Sequence, residues 1–372
     1  MSTPYAPVPP PPTATSSTAV NAAVPWADTK RESRFDAWLA GLASEHQLNR
    51  ASLRIASADA SFRRYLRIDG ATGTLVIMDA PPDKEDCTSF VKVARLMHEA
   101  GLRVPEVLAW DEANGFLLLT DLGNHTMMQV IDRTAAPPLD LYLNAVDVLV
   151  QWQLASLPGV LPAYDEALLR RELGLFPQWY VAQHRNITLD AVQRTTLDAA
   201  FDCIVQNNLR WPNVYVHRDF MPRNLMAAAH TALPVASLGV LDFQDAVYGP
   251  ITYDIASLMR DAFLSWEEDF CLDVTIRYWE KARKAGLPVG DDFGEFYRGV
   301  EWMGLQRHLK VAGIFARLTL RDGKPQYLAD TPRFIHYIRA TCARYRELKP
   351  LLRLVEQIDG IEVPSAFAFG RV

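Results

Sequence analysis

His217-Arg218-Asp219-Phe220-Met221-Pro222-Arg223-Asn224, followed by Leu241-Asp242-Phe243-Gln244-Asp245, is the stretch on which the reading of this chain turns. A His-x-Asp stands ahead of an Asn five residues further on, and a second Asp closes a short apolar run eighteen residues after that Asn. Phosphoryl transfer asks for this set. One carboxylate accepts the proton of an attacking hydroxyl, while an amide and another carboxylate hold Mg²⁺ on the phosphates. Tyr215-Val216-His217 reads as a short extended entry, and Asp219 then lies on an irregular stretch from which a side chain projects. Asp219 is therefore the candidate catalytic base, orienting and deprotonating the substrate hydroxyl. Asn224 and Asp242 complete the catalytic set as candidate Mg²⁺ ligands, since that ion takes hard oxygen donors and keeps several waters. His217 is expected to pack and to hydrogen-bond the loop backbone. Asp254 opens a helix after Gly249-Pro250 and is expected to brace the catalytic loop, with helix capping as the alternative.

Upstream, the pattern is rich in strands. Phe62, Arg64, Leu66 and Ile68 alternate with Arg63, Tyr65 and Arg67, then Asp69-Gly70 turns and Leu75-Val76-Ile77-Met78 runs back, which predicts a hairpin. Val91 to Ala100 reads as a helix closed by Gly101, and the turn Asn114-Gly115 joins a second hairpin. Phe35, Trp38, Leu39 and Leu42 recur at helical spacing at the start of this region. From Leu139 onward the pattern is mainly helical. These readings predict an α+β chain with an N-terminal lobe at 31–121, made of a small antiparallel sheet with one main helix, and a large helical lobe at 122–372. The Pro/Ser/Thr/Ala-rich segment at 1–30, with Pro9 to Pro12 in a row, is expected to be a disordered tail. An interaction role for that tail, as a ligand for a proline-recognising partner, is the alternative.

Composition excludes several classes. The chain has 372 residues, 49% hydrophobic and 22% charged, with a net charge of −6. An acidic balance of this kind argues against nucleic acid as a partner. The four cysteines are scattered with no Cys-x-x-Cys pair, which suggests neither zinc nor disulfides. No apolar run reaches the roughly 18 residues of a membrane span, and no secretory signal is visible at the N-terminus. The expectation is a cytoplasmic protein with small-molecule partners, no membrane association and no obligate protein partner.

The full motif set resembles the aminoglycoside phosphotransferase family of small-molecule kinases, which share the bilobal protein-kinase-like fold. Four longer strings are similar to a narrower group, the bacterial anomeric kinases of N-acetylmuramate and N-acetylglucosamine. They are HRDFMPRNLM (His217 to Met226), LDFQDAVYGP (Leu241 to Pro250), MDAPP (Met78 to Pro82) and GLQRHLKVAGIFARL (Gly304 to Leu318). The resemblance spans Arg31 to the C-terminus. It implies that ATP donates its γ-phosphate to the anomeric hydroxyl of an amino sugar, giving a 1-phosphate in cell-wall sugar recycling. It also implies that Asp219 is the base, that Asn224 and Asp242 hold Mg²⁺, and that Leu119 to Asp121 form the hinge whose backbone meets adenine. Kinases of aminoglycoside, choline or homoserine type remain open, as does a non-catalytic nucleotide-binding protein.

The chain departs from the superfamily pattern in its N-terminal lobe. Leu75-Val76-Ile77-Met78-Asp79 has no phosphate-gripping Lys, and the loop Ser57-Ala58-Asp59-Ala60-Ser61 has no Gly. Small residues up to Ser61 still let backbone N–H groups approach phosphate. Arg63 and Arg64 are the substitute cations, with Arg63 preferred because by alternation Arg64 shares a face with Phe62 and Leu66; solvated strand charges are the alternative for both, and Lys84 is a further candidate. In the C-terminal lobe, Arg307 leaves the apolar stripe Trp302, Leu305, Leu309, Ala312, Phe315. It is the candidate for binding the acidic substituent of a muramic sugar, against a solvated helix face.

Overall fold

The computed structural model describes residues 24–26, 28–58, 63–227 and 238–361. Most of the Pro-rich segment expected at 1–30 lies outside them, and so does Ser61. The described residues group into two compact units. The first runs up to Cys87 and adds Val107–Asp121, and the second comprises Thr88–Glu106 and everything from Leu122 onward. The helix expected in the N-terminal lobe therefore groups with the helical unit.

The first unit holds helix α1 (Thr29–Leu42) and strands β1 (Asn49–Ala58), β2 (Arg64–Gly70), β3 (Gly73–Asp79), β4 (Val107–Asp111) and β5 (Phe116–Thr120). They form one antiparallel sheet of order β1-β2-β3-β5-β4. Asp28 caps α1 by accepting from the Lys30 amide. Phe35 and Leu39 of that helix pack on Leu66, Ile68, Ile77, Phe116 and Leu118, all fully or almost fully buried. Both predicted hairpins form, but β1 is additional. Two register shifts against β2 break its two-residue period, and only Leu53 supplies a large buried side chain, so the sequence carries little signal for it. Gly115 takes φ +70°, and a Cβ there would lie 1.9 Å from the Ala80 carbonyl, so the second turn requires glycine.

Asp79, 3% exposed, ties this unit together. Arg31 of α1 reaches one carboxylate oxygen at 2.5 Å and Arg64 of β2 reaches the other at 2.6 Å. Arg64 also lies 3.9 Å over the Trp26 ring. Two guanidiniums on one buried carboxylate satisfy a charge that would otherwise be costly to desolvate.

The second unit begins with α2 (Thr88–Glu99), followed by α3 (Met127–Val130), α4 (Leu139–Leu154), α5 (Glu166–Leu173) and α6 (Ala191–Leu209). Two short ladders follow, β6 (Asn213–Val216) with β9 (Val247–Pro250), and β7 (Leu225–Met226) with β8 (Gly239–Val240). Helices α7 (Thr252–Met259), α8 (Glu268–Lys284), α9 (Phe293–Leu320), α10 (Thr331–Arg344) and α11 (Lys349–Asp359) complete it. At 28 residues α9 is the long axis of this unit, buried on every side along its middle. Close approach requires small residues there: a Cβ on Gly313 would meet the Leu175 backbone at 2.4 Å. Among the described residues no helix is long and apolar enough to cross a membrane.

Candidate active site

The catalytic loop leaves β6 at Val216, opposite Val247 of β9, and re-enters a ladder at β7, where Leu225 faces Val240 of β8. This framing delivers Asp242, just past β8, to Asn224, just before β7. The Leu241 amide donates to the Asn224 carbonyl at 2.9 Å. The Asn224 side-chain amide donates to the Asp219 carbonyl at 2.9 Å and to Asp242 Oδ2 at 3.3 Å. The three residues picked out from the sequence thus share one site although 23 positions separate the first from the last.

Two residues of the site carry positive φ, Arg218 at 77° and Asp242 at 63°. Such geometry costs about 1–3 kcal/mol per non-glycine residue and persists where neighbours over-determine it. Asp254 supplies part of that constraint. Fully buried in the first turn of α7, its two oxygens accept from the His217 amide at 2.7 Å and the Arg218 amide at 3.0 Å. The N-terminal cap of α7 is Ile251, so Asp254 braces the loop and does not cap the helix. Burial pushes its carboxyl up to about 6, against the pull of His217 and the two N–H donors.

His217 is 1% exposed. Its Nδ1 accepts from the Asp219 amide at 3.2 Å and its Nε2 lies 2.9 Å from the Leu241 carbonyl. With Nδ1 accepting, Nε2 is the nitrogen that donates to the Leu241 carbonyl. His217 therefore joins the two halves of the site as a loop-holding residue.

The Asp219 side chain is 41% exposed. Desolvation raises its carboxyl, but Lys310, Arg307 and Arg218 outweigh that and hold it below the ordinary carboxylate range. It is thus an ionised acceptor across the neutral range.

Arg307 departs from the alternative of a solvated helix face. Its side chain is only 4% exposed, which rules out a solvated helix face. One guanidinium nitrogen donates to the Arg218 carbonyl at 2.5 Å, another lies 3.9 Å from Asp219, and the group sits 4.8 Å over the Tyr253 ring. It is engaged with the catalytic loop itself. Periodicity failed here because α9 has no solvent face at this level: Gln306, Arg307, His308 and Lys310 are all buried.

The sequence reading also missed Glu172. It is 4% exposed near the end of α5 and takes Arg218 at 2.5 Å, Lys310 at 3.0 Å and the Tyr164 hydroxyl at 2.5 Å. In Glu-Ala-Leu-Leu-Arg-Arg-Glu-Leu it reads as one more surface glutamate of an amphipathic helix. Nothing local marks it as buried.

In the first unit, Arg63 pairs with Glu85 at 3.1 Å, and Lys84 is exposed. Leu119 is 2% exposed in β5, opposite Val76. The Asp121 carboxylate accepts from Arg67 at 3.1 Å and from the Thr74 hydroxyl at 2.6 Å.

As a donor set for Mg²⁺, Asn224 and Asp242 fit. Two adjacent hard-oxygen side chains suffice for an ion that keeps several waters and shares phosphate oxygens. Among the described residues no cluster of three or more His, Cys, Asp or Glu offers a cage for another metal.

An ionised carboxylate beside an amide–carboxylate pair, on a loop framed by two short ladders, is the arrangement these residues form. Over residues 52–293 the chain matches the phosphotransferase enzyme family, and it belongs to that family. It is 50% identical over 308 residues to the N-acetylmuramate/N-acetylglucosamine kinase of Pseudomonas aeruginosa, covering 83% of this chain and 89% of that one. It is 48% identical over 346 residues to the kinase of the same name from Neisseria meningitidis serogroup B, covering 91% and 100%. Its fold is the protein-kinase-like one of the aminoglycoside phosphotransferases. The ADP-bound structure of APH(2'')-Ib superposes with a TM-score of 0.53 at 14% identity, covering 80% of this chain and 96% of that one.

Proposed function

We propose that this enzyme transfers the γ-phosphate of ATP to the anomeric hydroxyl of N-acetylmuramate or N-acetylglucosamine, forming the 1-phosphate during recycling of cell-wall sugars. The observation that carries the substrate class is near-half identity to kinases of these sugars, over 89% of one relative and all of another. The reaction class rests on the Asp219–Asn224–Asp242 geometry.

In this reading Asp219 accepts the proton of the attacking hydroxyl. An anomeric hydroxyl is more acidic than an ordinary alcohol, so a carboxylate held ionised at low pKa is an adequate acceptor. Arg307 and Lys310 lie behind it and keep it charged. Asn224 and Asp242 would hold Mg²⁺, which when bound neutralises charge on the phosphates. His217 and Asp254 keep the loop in register, and Arg218, the residue preceding Asp219, is fixed on both sides, at its N–H by Asp254 and at its carbonyl by Arg307. For the nucleotide end of the reaction, the reading assigns backbone groups at Leu119 to Asp121 to adenine, and Ser61 with Arg63 to the phosphates. The Arg63–Glu85 pair then has to loosen or to accept a shared phosphate oxygen.

The test is a panel of amino sugars incubated with ATP and Mg²⁺, with the position of phosphate read by NMR. Phosphorus coupled to the anomeric proton is expected. A 6-phosphate product, or none from any amino sugar, overturns the substrate class. Asp219→Asn should abolish turnover while leaving the nucleotide's binding affinity within about twofold, the signature of a group used only in the transition state.

A further inference from the structure

We propose that Glu172 is a positioning residue for the reaction, holding the loop that carries Asp219 in its strained turn through Arg218 and Lys310. The inference rests on the reading of Asp219 as the base. Three donors from three separate stretches meet on the one buried carboxylate: Tyr164 ahead of α5, Arg218 of the catalytic loop, and Lys310 of α9. None of them belongs to the base–metal set.

Arg218 is the residue under strain, with a long side chain at φ +77° immediately before Asp219. It is fixed at three places. Its amide is held by Asp254, its carbonyl by Arg307, and its guanidinium by Glu172. The third anchor makes the turn independent of the backbone bonds alone. A rotation of Arg218 toward negative φ has to drag its side chain off Glu172, leaving a nearly buried carboxylate short of one cation. The penalty falls on leaving the strained state, which is how such a conformation persists. Because Asp219 is the next residue, the same rotation swings its carboxylate away from the hydroxyl it must meet. A displacement of about 1 Å at a reacting group can cost on the order of 100-fold in rate.

A role in core packing alone gives a different experimental pattern, and a double-mutant cycle on the full chain separates the two. Glu172→Gln and Arg218→Gln are each expected to lower kcat roughly 10- to 100-fold with the nucleotide KM within about twofold. The double variant should lose no more than the worse single, because both break one tether. Multiplicative losses, or an unchanged kcat with only a lower melting midpoint, overturn the proposal. If Glu172→Gln does not fold, Arg218→Gln keeps Glu172 paired with Lys310 and Tyr164 and must still lose kcat at constant KM; full activity there also overturns it. Asp219→Asn is run alongside. Retained turnover in Asp219→Asn sinks the base assignment, whereas an inactive Asp219→Asn with a fully active Glu172→Gln sinks only the tether.

Discussion

Replacing Asp254 by Ala should separate stability from catalysis in this enzyme. The structure gives both sides of the balance. The substitution strips the acceptor from two buried N–H groups, His217 and Arg218, at about 1–3 kcal/mol each, or roughly 2–6 kcal/mol together. Against this, the ionised carboxylate is itself costly in a fully buried position. Burial lifts it from its ordinary 3.8 up to about 6, which at neutral pH is worth about 3 kcal/mol. The two largely offset, leaving a net change that runs from about 1 kcal/mol of stabilisation to about 3 kcal/mol of destabilisation near pH 7. For a chain of this length a drop in melting midpoint of at most about 4 °C follows. Activity has no such offset, since the loop entering Asp219 loses two of its anchors; kcat should fall by about 100-fold or more.

The pH dependence has a definite sign. The folded pKa lies above the ordinary value, so Asp254 contributes stability that is fully present below about pH 4 and lost as pH rises through about 6. The stability gap between the native enzyme and Asp254→Ala should therefore widen as pH falls from neutral to about 5. Calorimetric melting at several pH values, beside a coupled ADP-release assay at neutral pH, measures both quantities. A kcat within about threefold of the native enzyme would refute the bracing argument. A gap that narrows on acidification would refute the assignment of a raised pKa.

Further outcomes follow from other parts of the molecule. Asp242→Asn should raise the Mg²⁺ concentration for half-maximal rate by about 10–100-fold, checked by Mg²⁺ titration of initial rates. Arg64→Ala leaves Arg31 alone on the buried Asp79 and should destabilise by about 1–3 kcal/mol, measured by urea unfolding. Gly313→Ala drives a methyl into the Leu175 backbone and should cost about 1–3 kcal/mol with little change in KM. Glu268 is half-exposed, and burial would raise its carboxyl, but Arg260, Arg344 and Tyr297 bring it down to about 2. Its contribution is present above the ordinary glutamate range and lost as pH falls toward about 2, so Glu268→Gln should lower the melting midpoint at neutral pH and lose that effect in strong acid.

The chemistry-bearing residues were legible because the reaction imposes residue types at short, fixed spacings. Asp219 and Asn224 sit on one loop, and the β7–β8 ladder brings Asp242, just past β8, beside Asn224. Hairpins with strong turn signals, at Asp69-Gly70 and Asn114-Gly115, were legible for the same reason, since a turn and two alternating strands are written in consecutive residues. Tertiary packing decided the rest. Strand β1 pairs with β2 despite a pattern broken by bulges. Arg63 found Glu85, twenty-two residues away, and Arg307 found the catalytic loop, eighty-nine residues away. Glu172, Lys310 and Arg218 meet only because α5, α9 and the loop are packed together, and no periodicity in one helix records what lies against its polar face. The sequence by itself determined which residues are the candidates for the chemistry. The tertiary structure decided how those residues are held and charged, because burial and the summed field of distant groups are properties of the packed chain.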